Sequence, residues 1–150
     1  PTQSQFTIER TDLSLAGARA VLDAAIAAAT AAGLAVCVAV CDAGGNALAT
    51  ARMDGAPILS LQIATDKAWT VAVFNGLPTA GWWQLIEGEP ALVHGITHTP
   101  RLVVFGGGEP VRAGGALAGA VGVSGGSAEQ DAMIAATGAF HRCLPRPCKV

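Results

Sequence analysis

Charge is scarce in this sequence. Asp, Glu, Lys and Arg make up 13% of the 150 residues against 51% hydrophobic residues, and the formal net charge is −2. With no basic stripe and no aromatic platform motif, the chain has nothing with which to grip nucleic acid. Long apolar runs are missing too. The richest segment, residues 16–40, is interrupted by Gly17, Arg19, Asp23, Thr30 and Gly33, short of the ~18 uninterrupted residues of a membrane span. Zinc-ligand spacing, a Ser/His/Asp set, a carboxylate pair and an internal repeat are all absent from the sequence order, so no metal site is expected.

What remains fits one domain over residues 1–150 with a single core. A chain with so little charge has much apolar surface to hide, and subunit interfaces are where such surface usually goes, so a homo-oligomer is expected. Cys37 and Cys41 fall on one face of a strand-like run, roughly 13 Å apart at strand rise, too far for a disulfide. Cys143 and Cys148 could close a small loop in the Pro-broken tail "HRCLPRPCKV". The chain opens at Pro1; initiator removal and a cleaved secretory signal both fit, and a cytoplasmic location is the default expectation.

The stretch Leu15 to Gly33 reads as a helix, with Leu15, Ala18, Leu22, Ala25, Ile26 and Ala29 on one stripe, Ser14 or Asp12 as cap and Gly33 as C′ residue. A hairpin follows, its strands Ala35 to Cys41 and Ala47 to Met53 flanking the turn "DAGGN". "ILSLQIATDKAWTVAVFNG" gives a second helix ending at Asn75 and Gly76, and "TAGWWQLIEG" a short third one. Glu87 to Thr99 reads as irregular. Three strands are expected next, at Leu102 to Phe105, Pro110 to Ala113 and Leu117 to Val123, with Gly114 and Gly115 turning between the last two. A helix from Ala128 to about Arg142 closes the order. Adjacent hairpin strands at both ends favour an α+β fold, an antiparallel sheet with helices on its faces.

The run "GAVGVSGGSAEQD" lies where the last strand meets the last helix. Ser127 with Gln130 three residues on is a capping box. The glycines match neither a P-loop nor G-x-G-x-x-G, so they read as a structural turn before an anion cradle. Taken together, "VAVCDAGGNALATARMDGAPILS", "DKAWTVAVF" and "GGGEPVRAGGALAGAVGVSGG…EQD" resemble the GlcG/HbpS-like family, the haem-degrading or DUF336 domain, over about residues 15–138. The resemblance implies a profilin-like three-layer α/β/α sandwich around a five-stranded antiparallel sheet, assembled as a dimer up to an octamer. It also implies binding of haem or a corrinoid, or a role in small-molecule catabolism. Covalent haem attachment is excluded, because Cys-x-x-Cys-His is absent.

Two function classes stay open: a haem- or tetrapyrrole-binding protein, and a small-molecule enzyme of isomerase, lyase or hydrolase type acting on a carboxylated intermediate. His94 and His98 in "VHGITHTPR" are candidate ligand-binding residues, in a loop because Gly95, Ile96, Thr97 and Pro100 disfavour a helix. His98 is the candidate axial ligand or general base. Arg52 could clamp a carboxylate or propionate bidentately, or pair with Asp54. Lys67 could do likewise, or sit on a solvated helix face. Glu109, after "GGG", is a turn residue able to act as acid or base. Pro1 suggests a further idea, a free secondary amine acting as base as in small tautomerases, where "TQSQFTIER" would supply the first strand.

The scarcity of charge generates a direct expectation. Light scattering at micromolar concentration should give a mass that is a multiple of 15.0 kDa; a lone 15.0 kDa species would contradict it.

Overall fold

A computed structural model describes residues 5–140. Pro1, Arg142, the Cys143 and Cys148 pair and the tail lie outside the described residues. Helix α1 (Leu15–Ala31) begins where the Ser14 hydroxyl accepts the Gly17 N–H, and ends before Gly33 at φ 69°. Strands β1 (Cys37–Asp42) and β2 (Ala47–Arg52) form the expected hairpin, with the Asp42 carboxylate accepting N–H groups from Gly44 and Asn46 across the turn. Asp12 does not cap α1; its carboxylate accepts the Ala43 N–H instead. Helix α2 (Leu59–Val73), a 3₁₀ turn (Thr79–Gly81), α3 (Trp82–Ile86) and α4 (Pro90–Ile96) follow. Strands β3 (Gly108–Ala113) and β4 (Ala116–Ser124) lead into α5 (Ala128–Ala139), which carries the Ser127–Gln130 capping box.

The sheet is antiparallel throughout, in the order β2-β1-β4-β3. Its pleat separates two apolar layers. Val36, Val38, Val40, Val121 and Val123 pack toward α1 and α5, burying Val21, Ala25, Ile134 and Ala135. Cys37, Ala39, Cys41 and Ala120 point the other way, toward Ala64, Ala68 and Val71 of α2. Both central strands are covered on both faces, which is why β1 reads as an unbroken apolar run. The two described cysteines are free and buried, and burial pushes the Cys41 thiol up to about 12.

Glycine sets how closely α2 can lie. A Cβ at Gly122 would overlap the Ala64 carbonyl and come within 2.7 Å of the Ala68 nitrogen, so the helix backbone rests directly on β4. This accounts for one glycine of the "GAVGVSGG" run as a packing requirement.

Three expectations are corrected. Among the described residues the sheet has four strands, because residues 102–105 form none: the Val103 N–H is taken by the Thr70 hydroxyl, not by a neighbouring strand. Residues 90–96 are helical, not irregular; Pro90 occupies the first helical turn, where its missing N–H costs nothing. Glu109 is the second residue of β3, paired with Val121, and not a turn residue. Among the described residues no helix is long and apolar enough to cross a membrane.

Gly122→Ala is expected to lower unfolding stability by about 1–3 kcal/mol through overpacking. Gly88→Ala, where nothing lies within 4 Å of the added carbon, should stay within ~0.5 kcal/mol. Urea denaturation of the two variants checks the contrast.

Candidate functional site

Lys67 is the least expected of the candidate residues in its surroundings. It lies on α2 three residues after Ala64 and four before Val71, on the stripe that faces the sheet, and it is 0% exposed. Its amine passes the end of the sheet and donates to the Val123 carbonyl at 2.8 Å and to Asp131 Oδ2 at 3.1 Å, on α5 across the sheet. Gly107, at φ 127°, makes the passage possible, since a Cβ there would lie 2.5 Å from the amine nitrogen. Asp131 Oδ1 accepts the Gly126 N–H at 2.8 Å, and the half-exposed Phe105 ring covers the amine at 5.0 Å. Burial lowers the Lys67 pKa, with the Asp131 charge and hydrogen bond opposing the shift. The expectation of a solvated helix face is therefore corrected, and the amine is committed to partners within the protein.

His94 occupies the last turn of α4 and His98 lies beyond its C-cap, Thr97; both are exposed. The two imidazoles do not share a helical face, because the helix stops between them. The His98 N–H donates to the Gly95 carbonyl at 3.2 Å, and the Thr97 hydroxyl to the His94 carbonyl at 3.3 Å. No residue of α4 is buried. Half-exposed Leu92, Val93 and Ile96 accompany the histidines, and exposed Trp83 and Leu85 lie on neighbouring α3.

Arg52 is exposed at the end of β2, where its guanidinium donates to the Ala56 carbonyl at 3.4 Å and forms no ion pair with Asp54. Beside it lies an open concavity of about 390 Å³ lined by Ile26, Ala51, Met53 and Asp54. Glu109 is half-buried on β3, the opposite edge strand, and burial raises its pKa. Among the described residues no hydrogen bond or ion pair joins any two of Arg52, Lys67, His94, His98 and Glu109, and no cluster could hold a metal ion.

Sequence reasoning missed Asp131 as the partner of Lys67, and Arg101, which is anchored on α2. One signal was available: a lone cation on an otherwise apolar helical stripe demands a buried counter-charge.

The family model described as haem degrading protein HbpS-like matches residues 13–139. Among solved structures, the Klebsiella pneumoniae protein ORFY, of the DUF336 family model, is 32% identical. That match covers 92% of this chain and 95% of ORFY, with a TM-score of 0.81. A double mutant of Streptomyces reticuli HbpS is 34% identical over 93% of this chain and 92% of its own, at a TM-score of 0.78. The PduOC structure, solved as a haem complex, is 32% identical over 86% of this chain and 94% of that one, at a TM-score of 0.75.

Removing either partner of the Lys67–Asp131 pair should leave a buried charge uncompensated. Lys67→Met and Asp131→Leu are each expected to cost about 3–5 kcal/mol, and the double variant Lys67→Met with Asp131→Leu less than the sum of the two single losses. Denaturant titration of the three variants measures the coupling; additive losses would mean that the pair does not act as a unit.

Proposed function

The chain belongs to the HbpS-like family, and from that premise we propose that it binds haem or a related tetrapyrrole. The observation that carries this reading is the likeness to PduOC, whose solved structure is a haem complex, over nearly all of that chain. The residues present fit such a group. His98 and His94 offer exposed imidazoles for iron, and apolar side chains on α3 and α4 offer contacts for a porphyrin ring. The indole N–H of buried Trp82, at the start of α3, has no hydrogen-bond partner among the described residues and can donate to an acceptor. When bound, haem supplies an iron centre able to change oxidation state. In this reading His98 would hold the haem iron, with His94 as its neighbour, and Lys67 would brace the fold without touching the ligand.

We also propose the finer architecture of a profilin-like three-layer sandwich forming a single domain. The placement of α1 and α5 on one face of the sheet and α2 on the other supports it. Exposed Phe74, Trp83, Leu85, Met133 and Phe140 support a homo-oligomer. A cytoplasmic role in catabolism or redox response is part of the same proposal.

A second reading has one observation in its favour. The Arg52 guanidinium has no acid partner among the described residues and borders an open concavity lined by Ile26, Ala51 and Met53, with Asp54 also on its wall. That arrangement suits a small carboxylate held by two parallel hydrogen bonds, the substrate class of the enzyme alternative. Glu109 is too far round the sheet to share that concavity, so on this reading it supplies a separate polar contact.

Titration of the protein with hemin separates the two. A Soret band that saturates, and that shifts or weakens in His98→Ala, is the expected result. No band with the wild-type chain would remove the haem reading, and binding of small carboxylates lost in Arg52→Ala would then favour the second.

A further inference from the structure

Arg101 has a φ of 66°, in the left-handed region that a residue with a Cβ rarely adopts. Such a conformation persists where its surroundings over-determine it. One face of α2 does this. Asp66 Oδ1 accepts the Arg101 Nε–H at 3.0 Å, the guanidinium lies 4.6 Å over the Trp69 ring, and the Thr70 hydroxyl lies 3.2 Å from the Arg101 carbonyl. Asp66, Trp69 and Thr70 stand at i, i+3 and i+4, so a single helical face presents all three contacts. The contacts are themselves fixed: Asp66 Oδ2 accepts from Gln62 at 3.0 Å, and Thr70 Oγ1 accepts the Val103 N–H at 3.1 Å.

Upstream the chain is held differently. Helix α4 buries no residue, so packing does little to fix its end. From there to Arg101 a succession of backbone bonds, Thr99 N–H to the Ile96 carbonyl at 3.0 Å and Leu102 N–H to the Thr99 carbonyl at 3.3 Å, transmits whatever orientation Arg101 imposes. His98 lies within that succession. We infer that Arg101 is a positioning residue: by clamping the 97–102 turn onto α2 it sets the direction in which the His98 imidazole is presented to a ligand. This rests on the reading of His98 as an iron ligand.

The test uses the full chain. Arg101→Gly tolerates the left-handed backbone while deleting the clamp, and Arg101→Lys keeps the charge but loses the planar fork and much of the stacking. In the ligand-free protein, amide ¹⁵N relaxation at Thr97, His98 and Thr99 should show greater motion in Arg101→Gly, with partial recovery in Arg101→Lys. Hemin affinity in Arg101→Gly should fall roughly ten- to a hundredfold, as for other residues that orient a metal ligand, and its Soret band should move toward that of His98→Ala. Unchanged relaxation in Arg101→Gly overturns the inference, whatever hemin does. So does wild-type affinity and Soret position in Arg101→Gly when His98→Ala alters both. If His98→Ala leaves the Soret band unchanged, the assignment of His98 as ligand fails separately, and the relaxation data still decide whether Arg101 orders the turn.

Discussion

Helices α2 and α5 are tied together by a buried ion pair that crosses the end of the sheet. Lys67 belongs to α2 and Asp131 to α5, and their side chains meet over the spot where Gly107 has none. Two charges removed from water must satisfy each other and their remaining donors and acceptors, or the fold pays several kcal/mol per ion. Here the amine also reaches the Val123 carbonyl and the carboxylate also takes the Gly126 N–H. The positions of β4, of the turn before α5 and of the 105–108 segment are thereby made mutually dependent.

Around that brace the structure divides by how firmly its parts are held. Helix α2 lies on β4 at backbone contact, and the sheet is covered on both faces by small and β-branched side chains. The excursion after α3, residues 87–96, is attached more lightly, with α4 burying nothing, whereas α3 is anchored by buried Trp82 and Ile86. Regions with few buried contacts open at low free energy, and binding segments are commonly drawn from them. The candidate histidines lie at the end of this lightly held part, next to the point where Arg101 fastens the chain back to α2.

Much of this was legible beforehand because local rules wrote it. The Ser14 and Ser127 caps, the "DAGGN" turn and the pairing of β3 with β4 through Gly114 and Gly115 each depend on residues close in sequence. The misreadings have a common source. At residues 102–105 the apolar, β-branched composition fits a strand, but the Thr70 hydroxyl from 33 positions away claims the Val103 N–H. At residues 90–96 the residues that disfavour a helix, Gly95 and Ile96, fall in the last turn, where they end it without preventing it.

The sequence by itself determined the antiparallel α+β character, the hairpins, most of the helix boundaries and the family, because periodicity, capping and turn chemistry are short-range and repeat along the chain. Only the tertiary structure decided what the charged candidates do. Arg52 and Glu109 stand on opposite edge strands, Lys67 is buried against Asp131, and exposed His98 lies shortly before Arg101, which pairs with Asp66 of α2. Whether a cation is solvated, paired or free depends on which distant side chain folds against it, and the partner of Lys67 lies 64 residues away.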